Sequence, residues 1–229
     1  MALSNTVKSG LTMSRIISII SLMPNTGKTT IALNLGLALH RMKKNVIVLD
    51  ADFSKINMIE HIDFNQPVNL EEVFQGRAHL FDTIFRHSSG LRIIPSMTKH
   101  DYDKLQFHLP ELFSGYEYVI IDTPKDHESL KKIMNNIDEA LIVHSPEYGS
   151  RYLMNAIKLL KKHKILNLGI VLNKSHEESV NSMLSIPVIT KIPHHKSIVK
   201  SFNVKQPLLH IYPYSDISRK FYDLAKRLV

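Results

Sequence analysis

The chain has 229 residues, 44% hydrophobic and 22% charged, enough for one α/β domain with a full core. It contains no cysteine, which excludes disulfides, iron–sulfur clusters and cysteine-based zinc sites. A net charge of +8 suits anionic partners (nucleotide, nucleic acid or acidic lipid), or serves solubility alone. No stretch reaches the roughly 18 apolar residues of a membrane span. The opening "MALSNTVKSGLT" lacks the apolar centre of a secretory signal. Residues 1–13 therefore read as a leader or disordered tail, with Met13 an alternative start, and residues 14–229 as one domain. The expected address is the cytoplasm.

Along the chain, short runs of Val, Ile and Leu predict strands at 15–21, 46–50, 91–95, 118–122, 140–144, 168–173 and 188–192. Their near-continuous apolar composition is that of strands buried on both faces. Helical spacing predicts helices at 28–42, 70–75, 79–86, 101–113, 129–135, 151–163, 197–204 and 216–228. Such alternation implies parallel strands joined by crossover helices. The expected fold is a three-layer α/β/α fold. Its central sheet is mostly parallel and doubly wound, with about seven or eight strands.

Between the first strand and first helix lies "SLMPNTGKTT", Ser21 to Thr30. In that context the ending Gly-Lys-Thr-Thr is a phosphate-binding loop. Backbone N–H groups from Asn25 to Thr29, flanked by Pro24 and Thr30, can surround a phosphate at the positive end of the helix. Lys28 reaches the β- and γ-phosphates, and the Thr29 hydroxyl ligates Mg²⁺. The glycine turn with a solvated lysine is the plainer alternative. Leu22 stands where the usual first glycine would be, and Pro24 supplies part of the missing rigidity. The loop members expected at the nucleotide are Pro24, Asn25, Thr26, Gly27, Lys28, Thr29 and Thr30.

Three further segments end strands on polar residues. "VIVLDAD" places Asp50 and Asp52 after one strand, and "YVIIDTP" places Asp122 after another. Strand carboxyl ends line the ligand crevice of open α/β sheets. Asp122 can hold Mg²⁺ through a water, Asp52 can orient the attacking water, and Asp50 can support Mg²⁺ or the loop. Each acid taken alone is equally a cap or turn residue. Asn173, ending "IVLN", can pair with an adenine edge.

These motifs, with "NLEEVFQG", "LRIIPS", "IVHSPE", "GIVLNK" and "IPHHKSIVKSFNVKQPLL", resemble the MinD/ParA family of deviant P-loop ATPases, the SIMIBI class. The likeness runs from Arg15 to the C-terminus. It implies ATP and Mg²⁺ binding, a homodimerisation switch, an activating protein partner, and adenine contacts at Pro193 and His194. It also implies cell-division or partitioning roles. The family loop reads Lys-Gly-Gly-x-Gly-Lys-Thr-Thr, and Met23 replaces its first lysine, which reaches the partner's phosphates. The form Ser-x-x-Pro-x-x-Gly-Lys-Thr resembles the loop of capsule-type bacterial tyrosine kinases. Lys125 and Asp126 stand where the family has small residues, Pro or Gly. Slow ATP hydrolysis catalysed by Lys28 and Asp52 is therefore expected. The alternatives are tyrosine phosphoryl transfer, with Tyr212, Tyr214 and Tyr222 as acceptors, and a non-hydrolysing adaptor.

Other features read more plainly. Adjacent His194 and His195 point apart, so a histidine metal site is not expected. Arg151, Lys158, Lys161, Lys162 and Lys164 form a basic helix side that either touches DNA or is simply solvated. Ile217, Phe221, Leu224 and Leu228 form a helix stripe better suited to the core than to a membrane.

Overall fold

The structure, a computed structural model, describes residues 14–53, 58–65, 68–96, 102–175 and 186–229. The leader expected at 1–13 lies outside the described residues. The chain runs through β1 (Arg15–Ile20), α1 (Lys28–Arg41), β2 (Val46–Asp50), α2 (Leu70–Phe74), β3 (Phe85–Arg86), β4 (Arg92–Ile94), α3 (Tyr102–Ser114) and β5 (Tyr118–Asp122). It continues through α4 (His127–Ile133), β6 (Glu139–His144), α5 (Ser150–Lys162), β7 (Leu166–Asn173), β8 (Val188–Ile192), α6 (Lys196–Asn203), α7 (Leu208–Ile211) and α8 (Asp216–Lys226). Among the described residues the strands form one eight-stranded sheet in the order β3-β4-β2-β5-β1-β6-β7-β8. Every pair is parallel except β3 with β4. This is the three-layer α/β/α arrangement the sequence implies.

Side-chain alternation along the strands builds two cores, because successive residues face opposite sides of a sheet. Ile17 and Ile19 of β1 face α1, α7 and α8, while Ile16 and Ile20 face α3, α4 and α5. The stripe Ile217, Phe221, Leu224 and Leu228 is buried in the first core, as expected. Gly36 lets α1 lie close on the sheet: a Cβ there would fall 2.4 Å from Val48 Cγ2. Asn34 ties α7 to α1, its carbonyl accepting from Leu209 N at 3.0 Å and its amide donating to Thr30 O at 2.8 Å.

The predicted helix at 79–86 is corrected. The segment forms a 3₁₀ turn at Leu80–Thr83 and then the edge strand β3, antiparallel to β4. The Thr83 hydroxyl donates to Leu80 O at 2.6 Å and closes the turn locally. Pairing with β4 then gives the following backbone groups partners that an isolated two-turn helix would lack. The 3₁₀ turn at Met58–His61 and the short α7 behind Pro207 carried no periodic signal long enough to predict.

Candidate nucleotide site

The site sits at the carboxyl ends of β1, β2, β5, β6 and β7, around the loop that enters α1. Gly27 adopts φ +90°, and Asn25 adopts φ +56°, so the loop turns back on itself before the helix. Glycine takes that conformation freely, and asparagine tolerates it. A Cβ on Gly27 would meet Asn173 Nδ2 at 2.1 Å, so a side chain is excluded on steric grounds as well. Two contacts hold the loop from outside. Asn173 donates its amide to Thr26 O at 2.7 Å, and the Tyr148 hydroxyl donates to Pro24 O at 2.9 Å. Leu22 is half-buried and packs onto the α3/α4/α5 core, which anchors the entry where a glycine turn would otherwise stand.

The helix N-terminus carries an unbalanced set of polar groups. Lys28 is 7% exposed and makes no ion pair among the described residues. Beside it the Thr29 hydroxyl donates to Asp122 Oδ2 at 2.6 Å. The other oxygen, Asp122 Oδ1, is buried without a hydrogen-bond partner, as is Thr26 Oγ1. Burial pushes the Asp122 carboxyl above the usual range, opposed by the Lys28 charge and the Thr29 hydrogen bond and reinforced by Asp52. Native proteins rarely leave such atoms unmatched without a reason. A site holding a buried cation and an orphaned carboxylate oxygen at the N-terminus of α1 fits a phosphate chain with a divalent cation.

Asp50 lies level with Asp122 on the adjacent strand. Its oxygens are fully engaged: Oδ1 accepts from Asp52 N at 3.0 Å, and Oδ2 from Met58 N at 3.0 Å and Ser96 Oγ at 2.6 Å. Ser96 N adds a fourth donor at 3.3 Å. Burial and then the Asp122 charge raise its pKa, and these hydrogen bonds hold it back only in part. The expectation that Asp50 supports Mg²⁺ or the phosphate loop is corrected: its oxygens are taken up by Asp52, Met58 and Ser96, none of which belongs to that loop. Asp52 is half-buried; its carbonyl accepts from the Ser96 hydroxyl at 3.2 Å, and its carboxylate is near enough to raise Asp122.

Beyond the loop, Ser145, Pro146, Glu147, Lys174 and His194 line a pocket of about 380 Å³. Pro193 stands beside it in the chain, and His194 is exposed. The second histidine, His195, turns away and caps α6 by accepting from Ser197 N at 3.1 Å. Among the described residues no cluster of metal-ligating side chains occurs. Asp126, which stands where the family has small residues, Pro or Gly, caps α4 by accepting from Ser129 N at 2.8 Å. Lys125 faces a separate cavity of about 610 Å³ with Leu22, Tyr152 and the α5 residues Lys158 and Lys162. Tyr222 accepts from Arg41 at the far end of α1, about 20 Å of helix from the loop. The sequence did not point to Ser96 or Tyr148. Ser96 lies 46 positions from Asp50 and closes the "LRIIPS" motif, and Tyr148 directly follows the "SPE" motif; those motifs were the available clues.

Comparison with known proteins agrees with this geometry. Residues 17–208 match the model of the CobQ/CobB/MinD/ParA nucleotide-binding domain. The chain belongs to that family. An uncharacterized ATP-binding protein of Methanocaldococcus jannaschii is 30% identical over 95% of this chain and 88% of its own length. The septum site-determining protein MinD of Synechocystis is 27% identical over 94% and 90%. The solved structure of MinD from Pyrococcus horikoshii in complex with Mg-ADP superposes with a TM-score of 0.82 at 27% identity, covering 94% of this chain and 96% of that one. MinD/ParA proteins are ATPases that use ATP with Mg²⁺, and this chain presents the loop lysine, hydroxyl and carboxylate that such a ligand requires. No helix among the described residues is long and apolar enough to cross a membrane.

Proposed function

We propose that the protein is a Mg·ATP-dependent switch with slow hydrolysis that positions another macromolecule, in cell division, partitioning or the placement of surface machinery. The observation that carries the reading is the buried, unpaired Lys28 facing the Thr29–Asp122 pair with its orphaned carboxylate oxygen. The loop N–H groups and Lys28 bind the triphosphate, and Thr29 and Asp122 hold Mg²⁺, which when bound neutralises charge on the phosphate oxygens. Asp52 orients the attacking water. Asn173, whose amide is committed to Thr26 O rather than to an adenine edge, keeps the loop closed, and the pocket beside His194 receives the base. Asp50 holds Asp52, Met58 and Ser96 in place.

Turnover is slow because Met23 supplies no charge where relatives of this type carry a lysine. One missing cationic contact to a transferring phosphoryl group is worth several kcal/mol, on the order of 3. The same loss weakens an ATP-bridged homodimer and leaves acceleration to a protein partner. Calorimetry with Mg·ATP tests the reading: heat of binding from the wild type and none from Lys28→Ala is the expected result. No heat from the wild type ends it. Met23→Lys should speed hydrolysis and shift light scattering towards a dimer; brisk dimeric hydrolysis by the wild type would refute the slow-switch assignment.

A further inference from the structure

At the opposite end of α1 from the phosphate loop, about 20 Å away, His40, Arg41, Lys43, Lys44, Asn45, Ser89 and Arg92 enclose a cleft of about 410 Å³. Its charge is one-sided. Lys44 pairs with Glu117 at 3.0 Å, but Arg41, Lys43, Arg86 and Arg92 make no ion pair among the described residues. Among the described residues Arg41 donates only to the Tyr222 hydroxyl, and Arg92 only to Asn45 Oδ1, with its guanidinium over the Tyr116 ring. His40 lies among these cations: burial first, and then Arg92, Lys43, Arg41 and Arg86, hold it below the usual imidazole range.

Part of this cluster has a structural account. His40, Arg41 and Lys43 lie at the carboxyl end of α1, where positive side chains complement the helix dipole. That account does not reach the sheet. Arg86 of β3 and Arg92 of β4 are direct cross-strand partners, and like charges placed opposite one another destabilise a strand pair. The edge hairpin thus keeps a repulsive pair beside Arg41, Lys43 and Lys44, of which only Lys44 has an ion-pair partner among the described residues.

We propose that this cleft is a second anion site, separate from the nucleotide loop, that takes a ligand bearing two or more phosphate groups. Arg41, Lys43 and Arg92 line it and carry its charge, Arg86 stands beside it as the cross-strand partner of Arg92, and a bound anion relieves the repulsion between those two. A cleft lined almost wholly by charged and polar groups selects a multiply charged ligand over an apolar one. Phosphates satisfy the paired donors of arginine better than a monovalent anion does. The phosphates come from a free condensed phosphate or from a single-stranded nucleic-acid backbone.

Calorimetry on Lys28→Ala protein, whose nucleotide loop is disarmed, tests this with inorganic tripolyphosphate and a short single-stranded DNA as probes. Binding of tripolyphosphate should survive Lys28→Ala and weaken roughly tenfold when Lys43→Gln and Arg86→Gln are added. Tripolyphosphate without DNA assigns the free anion. DNA binding that falls between about 50 mM and about 200 mM salt, and falls with the same two substitutions, assigns the backbone. Binding of neither probe at about 50 mM salt, or binding indifferent to Lys43→Gln and Arg86→Gln, overturns the proposal. So does loss of binding from Lys28→Ala alone. Arg86→Gln by itself should raise the thermal midpoint in phosphate-free buffer and blunt the stabilisation that tripolyphosphate gives the wild type; an unchanged response overturns it too. Mg·ATP binding to the Lys43→Gln/Arg86→Gln protein reports separately on the nucleotide site.

Discussion

The ends of β2 and β5 look alike in sequence and differ in the fold. Both strands run apolar to a final aspartate, Asp50 in "VIVLD" and Asp122 in "YVIID", and the two residues sit side by side in register. Both are fully buried. Asp50 is saturated by donors from Asp52, Met58 and Ser96, whereas Asp122 has one partner, Thr29, and one orphaned oxygen. A saturated buried carboxylate holds chain segments together; an unsaturated one beside a lysine and a hydroxyl is prepared for a ligand.

That contrast can be broken by substitution. Asp50→Ala should have the largest effect on the fold. It strands buried donors from two loops, each worth about 1–3 kcal/mol, so urea unfolding should show a loss of about 3 kcal/mol or more. Asp122→Asn should leave the stability of the ligand-free protein undiminished, because it removes a buried charge. It should weaken the Mg²⁺-dependent part of ATP binding roughly tenfold, about 1.4 kcal/mol, in titrations with and without Mg²⁺. Equal stability losses at the two positions would erase the distinction. Ser96→Ala should lower stability by about 1–2 kcal/mol through the lost hydrogen bond to Asp50, with Mg·ATP affinity little changed.

The smallest effect is in pH. Both carboxyls have folded-state pKa values raised above the unfolded value, chiefly by burial. The folded state therefore binds more protons than the unfolded one. Stability from this pair is fully present below the unfolded carboxylate value near 4 and is lost as pH rises through the raised folded values. Thermal midpoints of the ligand-free protein should fall from mildly acidic to mildly alkaline pH, and Asp122→Asn should flatten that slope. A slope unchanged by Asp122→Asn would show that the pair does not govern it.

The edge of the sheet shows where reading the sequence stopped short. The interior strands β2, β5, β6 and β7 were legible because each is rich in Val, Ile and Leu and ends on a polar residue, and burial on both faces leaves few other readings. The segment 79–86 was not, because a two-residue strand has no periodicity of its own and depends on β4 for its hydrogen bonds. The basic cleft was equally hidden, since Lys43, Arg86 and Arg92 are scattered in sequence.

Residue order alone determined the layered α/β architecture, the phosphate loop before α1 and the carboxylates at the strand ends, because each is a local pattern with a local physical cause. Only the tertiary structure decided which carboxylate is saturated and which is open. It also placed Asn173 and Tyr148 on the loop backbone, turned Asp126 into a helix cap and brought Arg86 opposite Arg92. Those outcomes depend on donors and charges brought together by the sheet from distant parts of the chain, and distance in space is not written in spacing along it.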